Sequence, residues 1–127
     1  MSERITEPTV YEFDPTIYPR EVWVAVTSSA LKDKFEQVSA WDESAYAMVD
    51  NVYDFEHDKG GVLIRFEDVN AMSIGNITHE SIHAACEILD YVGSFIDTKN
   101  QEHLAYLAGW IAKCCGEVKE SESKNNI

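Results

Sequence analysis

Apolar and polar positions change period twice along the chain. Residues 21–26 read EVWVAV, rich in β-branched and aromatic side chains, and predict a buried strand. Ser28 or Ser29 can then cap a short helix through ALKDKFEQV, residues 30–38, whose Leu31, Phe35 and Val38 share one face. Two strand-like runs follow, SAYAMVDNVYDFE and GVLIRFED. They are joined by HDKGG, whose glycines supply the positive φ of a hairpin turn, and Val62, Ile64 and Phe66 alternate with Leu63 and Arg65. From Ser73 to Tyr91 the spacing becomes helical (Ile74, Ile77, Ile82, Ala85, Leu89), and Gly93 marks the stop. A second helix begins near Thr98, where Thr98 and Gln101 form a capping box, and runs through EHLAYLAGWIAKCC to Gly116. Strands first and helices last predict an α+β domain over residues 18–116. It is flanked by an irregular arm at 1–17 and a frayed polar tail at 117–127.

Composition narrows the class of partner. The chain has 127 residues, 45% of them hydrophobic, which suits one domain with an apolar core. No apolar run approaches the roughly 18 residues of a membrane helix, and the first twenty residues lack a secretion signal, so a soluble cytoplasmic protein is expected. Three cysteines, Cys86, Cys114 and Cys115, form no disulfide framework and fit a reducing compartment. A formal charge of -13 with only ten Lys and Arg excludes a nucleic-acid backbone as partner. Trp23, Trp41 and Trp110 lack basic neighbours and read as core.

The chemistry concentrates in HESIH, residues 79–83. Side chains four apart on a helix stack on one face, so His79 and His83 present two imidazoles to one point, as a metal with nitrogen ligands requires. Glu80, one residue to the side, can reach a water on that metal and act as general base. A catalytic zinc site takes three protein ligands, and Glu102 in NQEHLA, early in the next helix, is the candidate for the third. Asp97 and His103 are weaker substitutes, and Cys86 makes a His-His-Cys set conceivable, although buried cysteines are usually inert. Glu87 and Asp90 extend the acidic face and can hydrogen-bond a ligating histidine.

HESIH followed by NQEHLA, with eighteen residues between His83 and Glu102, resembles the gluzincin branch of the zincin metallopeptidases, and the ending EHLAYLAGWIAKC is similar to small proteins of bacteriophages and prophages. The likeness covers residues 76–112. It implies a minimal zincin-like fold, a small mostly antiparallel sheet on the HExxH helix followed by a ligand-bearing C-terminal helix. It implies Zn2+ held by His79, His83 and Glu102, with Glu80 as general base or acid. It implies hydrolysis of a peptide or protein substrate in a bacterial or phage-infected cell, with the strand GVLIRFED lying along the cleft as an exposed edge. Larger gluzincins carry an oxyanion-stabilising Tyr or His on a second lobe, for which this chain has no room. Tyr106 and His57 are the candidates within it. The rival expectation keeps the fold and loses the catalysis, leaving an acidic phage or prophage protein that binds a host protein.

Overall fold

The computed structural model describes residues 8–125. Five strands, β1 (Val10–Phe13), β2 (Glu21–Val26), β3 (Phe35–Glu36), β4 (Ala47–Asp54) and β5 (Lys59–Phe66), form one mixed sheet in the order β1-β2-β5-β4-β3. Two helices follow, α1 (Ile74–Tyr91) and α2 (Glu102–Asn125), and the architecture is α+β. β2 and β5 pair in parallel at the centre, and the other three pairings are antiparallel. No helix among the described residues is long and apolar enough to cross a membrane.

The alternation in β5 sorts its side chains between two cores. Val62, Ile64 and Phe66 meet Val22 and Val24 of β2 under the helices, together with Ile77, Ala84, Ala85, Ile88 and Leu89 of α1 and Leu107, Ile111, Cys115 and Val118 of α2. On the opposite face Leu63 packs with Trp23, Ala25, Leu31, Phe35 and Val52. With both faces covered, β2 and β5 read as nearly continuous apolar runs. Fully burying each large apolar side chain contributes about 1.5–3 kcal/mol.

Residues 30–38 do not form the expected helix. The Ser29 hydroxyl does accept from the Leu31 N–H as a cap would, but a single turn follows, with Lys34 and Phe35 N–H both donating to the Leu31 carbonyl. Positive φ at Leu31 (50°) and Gln37 (73°) breaks the helical path. The segment instead delivers Phe35 edge-on to the Trp23 ring at 4.8 Å and lets β3 pair with β4. Tertiary burial of two side chains outweighs local helix propensity here.

The hairpin glycines also serve a different purpose. The left-handed residue of the β4–β5 turn is Asp58 (φ 53°), while a Cβ on Gly61 would meet the Glu21 carbonyl oxygen at 2.1 Å. Gly61 thus permits the close parallel approach of β2. Beside the turn, fully buried Asp54 accepts from Lys34 Nζ, His57 Nδ1 and the N–H groups of Glu56 and His57. Burial pushes its carboxyl up, but these hydrogen bonds and the Lys34 charge outweigh it and hold the pKa at about 2. Because that value lies below the unfolded one, the stabilisation is complete above about pH 4 and is lost as pH falls toward 2. Melting curves of wild type and Asp54→Asn should therefore lie well apart at pH 7 and converge progressively below pH 4.

α1 starts at the Ser73 cap, whose hydroxyl accepts from the Asn76 N–H, and ends at Gly93, left-handed at φ 77°, with the Ser94 N–H returning to the Leu89 carbonyl. Its buried face is shifted from the expected one. Ile74 and Ile82 are exposed, and Ala84 and Ile88 take their place. α2 starts at Glu102, later than the Thr98 cap would place it, and Gln101 Nε2 donates to the Thr98 carbonyl.

The expected boundaries also move. α2 continues past Gly116 to Asn125, and Val118 is fully buried where a frayed tail was expected. Tyr11 of β1 donates its hydroxyl to Glu122 at 2.6 Å, so the presumed arm and the presumed tail hold each other. That hydrogen bond, with burial and the Glu122 charge, raises the Tyr11 hydroxyl to about 12. Residues 1–7 of the expected arm and 126–127 of the expected tail lie outside the described residues.

Candidate functional site between β4 and α1

The exposed flank of α1 and the adjoining part of β4 enclose an open cleft of about 440 Å³, lined by residues 44–49 together with His79, Glu80, His83 and Glu87. His79 and His83, one turn apart, bring their Nε2 atoms to 3.1 Å, with the rings edge to face at 4.7 Å between centroids. Two nitrogens at roughly 2.0–2.1 Å from a tetrahedral zinc stand about 3.3 Å apart, so this spacing suits two ligands of one ion. Glu80 is buried beside them, its Oε2 3.9 Å from His79 Nε2. Tyr46 closes the group, its ring 6.3 Å from that of His79. Burial raises the Tyr46 hydroxyl pKa, and hydrogen bonding to Glu80 and the Glu80 charge raise it further.

Glu102 does not join them. Among the described residues no three His, Cys, Asp or Glu side chains stand close enough to share an ion. The reason lies in helix register. Ser81 sits against Cys115, whose thiol burial pushes up to about 12 despite the opposing pull of the Ser81 hydroxyl. With those residues level on antiparallel helices, Glu102 lies about 20 Å along the axis from Ser81, and His83 only about 3 Å in the same direction, at 1.5 Å rise per residue. α2 also packs on the Ser81 side of α1, whereas the histidines face β4. The zinc implied by the resemblance thus finds two donors of the three a catalytic site takes, and the set as it stands does not fit a resident catalytic ion.

The other candidates lie elsewhere or have other work. Tyr106 is exposed and lines an apolar hollow with Ile17, Tyr18, His103, Leu107 and Trp110, apart from the cleft. His57 is hydrogen-bonded to Asp54 at the hairpin turn. Cys86 is half-buried, and burial followed by the Glu87 charge raises its thiol pKa. Glu87 accepts from Asn51 Nδ2 at 2.6 Å, tying α1 to β4.

The expected edge strand also changes identity. β5 is the middle strand, paired on both sides, with β2 and with β4. β4 is the strand beside this cleft whose outer side is largely unpaired, with the Ser39 hydroxyl of the loop after β3 donating to the Asp50 carboxylate. β3 pairs with it only at Tyr53 and Asp54, so among the described residues 47–52 have a backbone-paired neighbour on one side alone. Neither this edge nor Tyr46 stood out in the sequence. The run 44–56 read as a strand without showing its place in the sheet, and Tyr46 is one aromatic among many.

No protein-family model, curated protein or solved structure matches this chain.

Proposed function

We propose that the chain is a polypeptide-binding domain with a zincin-like cleft. An extended segment of a partner protein adds to the sheet along the largely unpaired outer side of β4 and lies against the His79, Glu80 and His83 face of α1. The carrying observation is the unpaired stretch 47–52 bordering that cleft. Unpaired backbone N–H and C=O groups supply affinity with little sequence preference, and the cleft supplies side-chain contacts. Hydrogen exchange with and without an extended peptide tests this. Exchange should slow at the alternate amides of 47–52 that point away from β5 and stay constant in β5, which is already paired on both sides. A bound peptide that leaves 47–52 unprotected removes the reading.

The spacing of the paired imidazoles and the buried carboxylate beside them favour a second reading, zinc-dependent hydrolysis of the bound segment, which requires the bound partner to supply the third donor that Glu102 does not. Zinc would supply a Lewis acid and an activated water at His79 and His83. Glu80 would hold the proton and Tyr46 would orient Glu80. In this reading Glu80→Gln abolishes cleavage of an unfolded protein substrate while peptide binding persists. Equal cleavage by the variant removes it.

A further inference from the structure

The cleft continues along α1 beyond the histidines. Its second half, about 470 Å³, is lined by Asn51 to Tyr53 of β4, Glu36, Gln37, Arg20 and the Glu87, Asp90 and Tyr91 flank of α1. The two rails run in the same direction. Tyr46 stands level with His79, and Asn51 bonds Glu87. Arg20 bonds Asn51 Oδ1 and lies over the Tyr91 ring at 4.0 Å. The unpaired stretch from Ala47 to Val52 spans about 17 Å, and from His79 to Tyr91 the helix spans about 18 Å, space for an extended segment of about six residues.

Charge identifies the occupant. Glu36, Glu87 and Asp90 are exposed in this half, and none forms an ion pair among the described residues. Glu87 has only the neutral Asn51 amide. The single local cation, Arg20, is 8% exposed and committed to Asn51, the Gly61 carbonyl and the Tyr91 ring. The half-cleft thus presents three carboxylates against one engaged guanidinium, in a chain of net charge -13. A segment pairing with β4 turns alternate side chains to one side, so Lys or Arg placed two residues apart would meet these carboxylates in succession.

Resting on the strand-addition reading above, we infer that the partner segment is basic, with Lys or Arg side chains seated between the Glu87–Asp90 flank of α1 and Glu36 at the end of β4. Exposed ion pairs each contribute about two- to fivefold in affinity, so the combined preference should reach about tenfold and weaken with added salt.

Fluorescence anisotropy with the full chain and three labelled nine-residue extended peptides tests this, the peptides differing only in carrying Lys, Gln or Glu at alternate positions. The Lys peptide should bind about tenfold tighter than the Gln peptide and tighter still than the Glu peptide. The preference should disappear in Glu87→Gln/Asp90→Asn and persist in Glu117→Gln/Glu120→Gln, an equal charge change on α2, with thermal melts confirming that both variants fold. Equal binding of the three peptides overturns the charge inference and leaves strand addition standing. Equal loss of preference in both variants also overturns it, since net charge alone would then account for the effect. Binding of none of the peptides removes both, as does a dimer in sedimentation that the Lys peptide fails to dissociate.

Discussion

Arg65→Met is expected to lower stability by about 3–5 kcal/mol, a large share of the total for a domain this size. Arg65 is fully buried in β5, on the sheet face away from the helices. Its Nη1 donates to the Ser28 and Ser29 carbonyls at 3.2 and 2.9 Å, and its Nη2 to the Ser39 carbonyl at 2.9 Å and Asp50 Oδ2 at 3.2 Å. One planar fork therefore fastens two loops and a neighbouring strand, with the Trp41 ring 5.2 Å from the guanidinium carbon. Met fills a similar volume and donates nothing, leaving three carbonyls and the Oδ2 of a largely buried carboxylate without a donor, while Asp50 Oδ1 keeps the Ser39 hydroxyl. Each such orphan costs about 1–3 kcal/mol, more where it is charged, less what water recovers at the loops. Arg65→Lys keeps the charge without the fork and should fall between the two. Urea denaturation gives the numbers. A loss under about 1 kcal/mol for Arg65→Met would show that the loops are held by their apolar contacts alone.

The same residue shows why some of the fold was legible and some was not. Strong periodicity is a local property, so β2, β5 and α1 could be placed from pattern. The burial of Arg65 is not legible in the alternation of β5, because no pattern reveals that loops from elsewhere will close over it. The segment around Leu31 and Phe35 failed for the related reason that its conformation is set by Trp23, distant in sequence. The histidine pair was legible because both rings sit on one helix and the helix period fixes their meeting. Glu102 was not, because its reach depends on how far the turn between α1 and α2 lets the second helix slide along the first. The packing of Ser81 on Cys115 settles that register, and it is invisible in spacing. Which strand leaves backbone groups unpaired is likewise a property of the whole sheet, so β5 is expected where the 47–52 stretch of β4 is found.

Zinc titrated into the chain is expected to bind at His79 and His83, with affinity falling at least on the order of 100-fold in His83→Ala and staying unchanged in Glu102→Gln. Even an outer-shell partner of a zinc ligand is worth about 10–100-fold, so removing one of only two imidazoles should cost at least the upper end of that range. The pair is preorganised by the helix, its Nε2 atoms already 3.1 Å apart, so little ordering entropy opposes the first two bonds. With water or a partner's side chain completing the sphere, affinity should still fall below that of a three-ligand site. Competition with a chromophoric chelator gives the affinities, and the visible spectrum of the cobalt-substituted chain reports the donor set without reference to catalysis. An unchanged spectrum in Glu102→Gln is the outcome the helix register requires. If that variant instead loses metal as severely as His83→Ala, α2 must slide about 17 Å along α1 when the ion binds, against the Ser81–Cys115 packing. The peptidase reading would then recover the ligand it lacks. Retention of zinc by His79→Ala/His83→Ala would place the ion elsewhere and leave the cleft only its strand edge and its carboxylates.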